Sequence, residues 1–181
     1  MTHSPLDEVR TRYAAERARR VRDDRDAQYG YLDDAPDPWN ERVERAPLTD
    51  VVDVAVVGAG LSGLTTAATL KKEGVERVRL IDRAGDVGGT WYWNRYPAAQ
   101  CDVESYVYLP LLDEMGYVPT EKYAYQGEIL AYLQSVARRF DLYRDACFHT
   151  GVEDAAWNEA EQLWVVETDR GDRFRAHFLV L

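Results

Sequence analysis

Residues 51–64 read VVDVAVVGAGLSGL, and this stretch decides the fold. Its first seven residues are mostly valine, which is typical of a buried strand in a parallel sheet. The glycines that follow match G-x-G-x-x-G at Gly58, Gly60 and Gly63. After a strand and before a helix, this motif lets the backbone approach a dinucleotide diphosphate, to which the helix N-terminus also presents free N–H groups.

The residues after the glycines complete a strand–helix–strand unit. A helix is predicted over 61–73, because leucine and alanine recur at helical spacing and Gly74 supplies the glycine that often follows a helix. A second short strand is predicted over 75–82. These elements make a βαβ unit, so the sequence predicts an α/β fold with a Rossmann-like dinucleotide site.

Asp82 stands at the end of the second predicted strand. A carboxylate at this place can accept hydrogen bonds from the ribose hydroxyls of an adenosine. It would also repel a 2′-phosphate, so the site suits FAD or NAD and disfavours NADP. The alternatives are a solvated acid at a strand end and a glycine-rich turn that binds nothing.

The remainder of the chain predicts a helix over 127–140 and three alternating strands over 146–157, 163–168 and 174–181. Short turns separate these strands, which indicates a small antiparallel meander. The chain ends on apolar residues of the last strand. We therefore expect an incomplete domain whose last strand is an exposed edge, and which needs a complementary polypeptide or a missing C-terminal half.

Residues 1–50 are predicted to be a charged N-terminal arm and linker, and 51–181 to be the domain portion. The arm carries a predicted solvated helix over 6–28 and a proline-rich connection over 29–50. The only large apolar side chains near its start, Leu6, Val9 and Tyr13, form a thin stripe at helical spacing.

Composition narrows the possible partners. The 181 residues carry a net charge of −10, which argues against binding a nucleic-acid backbone. No apolar run approaches the length of a membrane span. The two cysteines and three histidines show no metal-ligand spacing, so no metal site is predicted. A cytoplasmic protein with two ordinary buried thiols is the expectation.

Beyond the βαβ unit, residues 82–97 read DRAGDVGGTWYWNRYP and residues 98–106 read AAQCDVESY. These strings closely resemble the Baeyer–Villiger monooxygenases, class B flavin enzymes; PTEKYAY at 119–125 and FHTGV at 148–152 also resemble that family. The resemblance implies the N-terminal part of an FAD domain from a flavoprotein with two dinucleotide-binding domains. It implies FAD and NADPH as cofactors, and O2 and a ketone, converted to an ester or lactone, as substrates.

The resemblance also implies site residues, position by position. Those implied to hold the FAD diphosphate and ribose are Gly58, Gly60, Ser62, Gly63 and Asp82. Gly89, in the flavin-facing loop, would let a backbone amide face the diphosphate. Those implied to lie beside the flavin and adenine are Thr90, Trp91, Tyr92, Trp93, Tyr108 and Val152. Those implied to lie where the nicotinamide meets the flavin are Gln100, Cys101 and Asp102, with Asp102 as the acidic residue beside the flavin ring and the candidate catalytic residue. Plain core packing is the alternative for the aromatic cluster.

Two features set the chain apart from the family. The family usually has Gly-Ala-Arg before Cys-Asp, whereas this chain has Ala98, Ala99 and Gln100, so one cationic contact to NADPH is missing. The family's second glycine motif and its histidine-containing fingerprint are absent, so we expect the isolated chain to be inactive. A related N- or S-oxidising flavin monooxygenase and a non-catalytic nucleotide-binding remnant remain as alternatives.

Overall fold

The computed structural model describes residues 5–21 and 36–181, which fall into two compact units, Met1–Pro36 and Asp37–Leu181. In the first unit, α1 (Pro5–Arg20) begins close to the start predicted for the arm helix. The rest of that prediction, from residue 22, lies outside the described residues. The side chains of Leu6, Val9 and Tyr13 are exposed.

A five-stranded mixed sheet forms the centre of the second unit, in the order β2-β1-β5-β4-β3. Its strands are β1 (Val51–Val57), β2 (Val78–Ile81), β3 (Val152–Asn158), β4 (Leu163–Thr168) and β5 (Arg173–Val180). β1 pairs in parallel with β2 and β5, while β4 pairs antiparallel with both β3 and β5. The predicted βαβ unit and meander are therefore both present, joined in one sheet.

The position of β5 corrects one expectation. The last strand was expected to be an exposed edge, but β5 lies between β1 and β4. Val51 to Val56 pair with Arg175 to Val180, a contact between distant parts of the chain that local periodicity does not reveal. The expected exposed apolar surface is present, since Phe178 and Leu181 are 67% and 90% exposed. The first of the three predicted meander strands also begins later, at Val152 instead of residue 146.

Helices connect and cover the strands: α2 (Leu61–Lys72), α3 (Thr90–Trp93), α4 (Ser105–Tyr108), α5 (Leu112–Met115) and α6 (Gln126–Arg139). The predictions for α2 and α6 are confirmed to within one residue at each end. α6 buries Ile129, Leu133 and Val136, which lie on one helical face. The three short helices lie within residues 84–125, between the second predicted strand and the helix predicted over 127–140.

Two apolar clusters stabilise the sheet. The larger contains residues of β1 and β2 together with α2 and α6, including Val56, Leu64 and Leu133. The smaller contains Phe174 and Val166 among its buried members. Both cysteines are buried and free, as predicted. Within residues 5–21 and 36–181, no helix combines the length and the apolar character needed to cross a bilayer.

Residues 37–50, here called the strap, contain no helix or strand. They belong to the second unit and are hydrogen-bonded to other parts of it along their length. Arg45 makes two hydrogen bonds to Asp172, of 2.5 and 2.6 Å, and Asp50 accepts hydrogen bonds from Arg79. At the other end of the strap, the carboxylate of Asp37 accepts hydrogen bonds from Gly85 and Tyr92. These contacts explain why the compact unit begins at Asp37 and not at residue 51.

Acid should weaken the folded state, because two buried carboxylates are ionised in it: Asp37 of the strap and Asp172, which bonds to the strap. Burial opposes ionisation of Asp37, but hydrogen bonds from Tyr92, from two backbone amides and from His149 hold its pKa at about 2. Burial likewise opposes ionisation of Asp172, but Arg45, the Leu48 amide and Thr168 hold its pKa at about 2.

The folded-state pKa of both carboxyls lies below the ordinary value of 3.8. Their stabilisation is therefore complete above about pH 5 and is lost as the pH falls towards 2, by roughly 2 kcal/mol for each group. Urea unfolding at pH 7, 5, 4 and 3 should show a falling free energy of unfolding below pH 5. An Asp172→Asn variant should show a shallower fall, and a flat profile in the parent protein would contradict the prediction.

Candidate functional site

The turn between β1 and α2 requires two of its three glycines for its own geometry. Gly58 has a φ of +95°, a conformation that favours glycine, and its N–H donates to the carbonyl of Ile81 at 2.7 Å. A Cβ on Gly63 would lie 1.9 Å from the carbonyl oxygen of Gly58. Gly63 therefore allows the start of α2 to pack against the end of β1.

Gly60 differs from Gly58 and Gly63, because the packing of the fold leaves room for a Cβ at this position. A Cβ there would meet only Gly89, at an ordinary distance of 3.5 Å. Ser62 is exposed on the first turn of α2. No side chain caps this helix within the described residues, so its first N–H groups are available to a ligand.

A second glycine turn, at Gly88 and Gly89, lies directly against the first. Gly88 donates its N–H to the carbonyl of Ala59 at 2.9 Å, and both glycines have positive φ. A Cβ on Gly89 would lie 2.7 Å from the Cα of Gly60. The two turns can approach this closely because Gly89 has no side chain at the contact.

Asp82 joins the first turn to the residues that follow β2. Its Oδ2 accepts a hydrogen bond from the Ala59 N–H at 2.5 Å, and its Oδ1 accepts one from the Ala84 N–H at 2.8 Å. A carboxylate has about four acceptor sites, so capacity remains for ribose hydroxyls. We call the 58–63 turn, Asp82 and the 88–89 turn the glycine cradle.

α3, here called the aromatic turn, follows the cradle directly. Trp91 donates its indole N–H to the hydroxyl of Tyr108 at 2.7 Å, which brings together two residues implied to lie near the flavin. Tyr92 is fully buried, Trp93 is half-buried and Thr90 is exposed. Trp91 and Tyr92 both lie in the larger apolar cluster, and a contact between flavin and any of these side chains stays a prediction.

Gln100, Cys101 and Asp102 lie on a separate stretch that pairs with residues 123–126. Gln100 directs its side-chain amide to the carbonyl of Tyr123 at 2.7 Å, and Cys101 is buried. Asp102 is exposed, and its carboxylate has no hydrogen-bond or ion-pair partner among the described residues. It is therefore available to a group beyond this chain.

Gln126, which the sequence analysis missed, connects this stretch to the aromatic turn. Its N–H donates to the carbonyl of Ala99 at 2.9 Å, and its side-chain amide donates to the carbonyl of Trp91 at 2.7 Å. A lone glutamine at a helix start carries no sequence signal for such a contact. Val152 lies at the start of β3, close to Thr150, whose N–H donates to the carbonyl of Asp82.

The described residues contain no group of three or more His, Cys, Asp or Glu side chains that could hold a metal ion. A surface pocket of about 660 Å³ lies at the far end of α2 from the cradle, between Lys72, Phe140 and Arg144. Lys72 pairs with Glu114, and Arg144 with Asp141 and Asp145. Two of the four cationic side chains that line this pocket are thus already paired with carboxylates.

Known proteins resemble this chain in both sequence and structure. Residues 56–115 match the model of an NAD(P)-binding Rossmann-like domain. Pentalenolactone D synthase of Streptomyces arenae is 56% identical over 97% of the chain, and a Baeyer–Villiger monooxygenase of Streptomyces coelicolor is 48% identical over 99%. The chain is related to the Baeyer–Villiger monooxygenases. It spans 30% and 31% of the length of these two relatives.

Solved structures agree with this relationship. A polycyclic ketone monooxygenase from Thermothelomyces thermophila matches 96% of the chain and 32% of its own, with a TM-score of 0.80 and 32% identity. A steroid monooxygenase bound to NADP matches 71% and 25%, with a TM-score of 0.63 and 50% identity. An FAD-bound form of OTEMO matches 75% and 25%, with a TM-score of 0.64 and 34% identity. The predicted Baeyer–Villiger resemblance and α/β fold are confirmed.

Proposed function

We propose that this chain supplies FAD-binding residues to a Baeyer–Villiger-type monooxygenase that uses NADPH and O2 to convert a ketone into an ester or lactone. One observation carries the proposal: the two glycine turns contact each other while Gly60 keeps an open approach beside the free N-terminus of α2. A diphosphate needs such an approach to backbone N–H groups. FAD would supply the redox chemistry, and the chain would bind and orient it.

Each part of the cradle has a distinct task in this proposal. Gly58 and Gly63 shape the turn, while Gly60, Ser62 and Gly89 border the diphosphate. Asp82 accepts hydrogen bonds from the ribose, and its negative charge disfavours a 2′-phosphate. The aromatic turn would exclude water beside the flavin, with Thr90, Trp91 and Trp93 nearest to it. The backbone of Val152 would lie at the adenine.

The remaining partners form part of the same proposal. Because the chain spans about a third of its relatives, the NADPH site and the ketone pocket would include residues of further polypeptide, in the same protein or in a second chain. The side chain of Phe178, 67% exposed on β5, would be covered by such a partner. A cytoplasmic location fits two free thiols, and a net charge of −10 fits the absence of nucleic acid.

Titration of FAD into the purified chain tests the proposal. Binding should quench flavin fluorescence and saturate at one FAD per chain. NADP added in excess should displace little of the bound FAD. A chain that binds no FAD by fluorescence or by equilibrium dialysis would sink the proposal. That result would favour a remnant with no cofactor.

Asp102 provides a separate prediction about the reaction itself. In a protein that includes the remaining length of the relatives, Asp102→Ala should retain FAD but slow its reduction by NADPH about tenfold or more. The reason is that an exposed, unpaired carboxylate can hold a cation of the missing part beside the flavin. Stopped-flow absorbance of the flavin measures the rate. Loss of FAD with an unchanged reduction rate would assign Asp102 to cofactor binding instead.

A further inference from the structure

Asp37 lies outside the cradle but is bonded to two segments that border it. Its Oδ2 accepts a hydrogen bond from the hydroxyl of Tyr92 at 2.5 Å and another from the Gly85 N–H at 2.9 Å. The Nε2 of His149 lies 3.0 Å from the same oxygen. The side chain of Asp37 is only 5% exposed, so these contacts form in a site with little water.

The strap adds further contacts around Tyr92. Asn40 donates its side-chain amide to the Tyr92 hydroxyl at 2.7 Å, and Trp39 lies edge-on to the Tyr92 ring at 5.7 Å. Arg95 stacks over both rings, 4.5 Å from that of Trp39 and 4.7 Å from that of Tyr92. The strap thus fixes the hydroxyl, the ring and the C-terminal side of the aromatic turn.

The space around Gly85 shows how tightly these groups are assembled. A Cβ on Gly85 would lie 2.6 Å from atoms of Asp37, Asn40 and His149. Gly85 follows Ala84, whose N–H bonds to Asp82 in the cradle. One carboxylate therefore connects the strap, the residues after Asp82 and the aromatic turn.

We infer that Asp37 is a positioning residue for the cofactor: its carboxylate holds the aromatic turn and the 82–85 turn in the arrangement that the cradle requires. This inference rests on the proposed function. The Tyr92 hydroxyl and three backbone N–H groups, those of Trp39, Asn40 and Gly85, all donate to Asp37. A carboxylate accepts all four bonds, whereas an amide turns an NH2 group against some of these donors.

Asp37→Asn tests the inference, with Asp172→Asn as the matched control. Both residues are buried carboxylates that hold the strap, but Asp172 contacts Arg45, Leu48 and Thr168 and no residue of the aromatic turn. Both variants should melt at lower temperature than the parent. Only Asp37→Asn should raise the Kd for FAD, by about tenfold, when binding is measured at a temperature where both variants are folded.

Amide hydrogen exchange supplies a readout that needs no FAD. Exchange of the aromatic-turn amides should accelerate in Asp37→Asn and stay at the parent rate in Asp172→Asn. Tyr92→Phe removes one hydroxyl from the contact and should reproduce part of the faster exchange and part of the rise in the Kd for FAD. It serves as the test if Asp37→Asn does not fold. The double variant with both Asp37→Asn and Tyr92→Phe should change the binding free energy for FAD by less than the sum of the two single changes.

The outcomes separate this inference from the proposed function. If the parent chain binds no FAD, the proposed function fails, and the inference that Asp37 positions a cofactor fails with it. Amide hydrogen exchange can then still show whether Asp37 holds the aromatic turn in place. If the parent binds FAD but the two variants change exchange and Kd equally, Asp37 acts only through global stability and the inference is overturned. An unchanged Kd in Asp37→Asn also overturns it.

Discussion

Gly60→Val should abolish measurable FAD binding while the protein stays folded. In the structure a Cβ at this position meets only Gly89, at an ordinary contact distance of 3.5 Å. The valine methyl groups would extend from it into the approach to the α2 N-terminus, where the diphosphate needs the backbone. We expect a loss of affinity of at least about a hundredfold, because the methyl groups would keep the diphosphate from the N–H groups at the helix N-terminus. Fluorescence titration measures the loss, and circular dichroism checks the fold.

Gly127→Val is the matched control for this substitution. Gly127 is exposed in the first turn of α6, and a Cβ there meets nothing within 4 Å. This variant should bind FAD as the parent does. Gly63→Ala provides the opposite contrast, because its Cβ would collide with the carbonyl of Gly58 and should disturb the fold itself. Unchanged FAD affinity in Gly60→Val would remove the diphosphate from this turn.

Asp172→Ala should cause the largest loss of stability among the substitutions named here. The Asp172 side chain is fully buried and accepts hydrogen bonds from Arg45, the Leu48 N–H and the Thr168 hydroxyl. Removing it leaves three donors without their acceptor, one of them a guanidinium that is 25% exposed. We expect about 3 kcal/mol of destabilisation and a fall in Tm of about 6 to 12 °C.

Asp154→Ala controls for the removal of an acidic side chain as such. Asp154 is exposed on β3 and should change the free energy of unfolding by less than about 0.5 kcal/mol. Urea unfolding of both variants at pH 7 gives the comparison. A loss below about 1 kcal/mol in Asp172→Ala would mean that Arg45 and the strap find other partners or contribute little to the second unit.

The sequence by itself determined β1, α2 and α6, and it singled out the glycine turn between β1 and α2. Valine repetition, the three glycines and the glycine after α2 are short-range signals, because they depend on the backbone angles and side-chain period of neighbouring residues. Val51–Val57 was therefore predicted to the residue, and α2 and α6 to within one. The string at 82–97 likewise identified the family, since its aromatic and glycine residues are specific as a linear pattern.

Only the tertiary structure decided how the distant segments meet. The pairing of β5 with β1, the contact of Gly89 with Gly60, and the bonds from Asp37 to Tyr92 all join residues far apart in the chain. Alternation predicts that a strand exists but not which strand lies beside it, and an aspartate before a proline reads as a turn residue. Burial gives such residues their roles, because a carboxylate shielded from water must find its donors wherever the fold brings them.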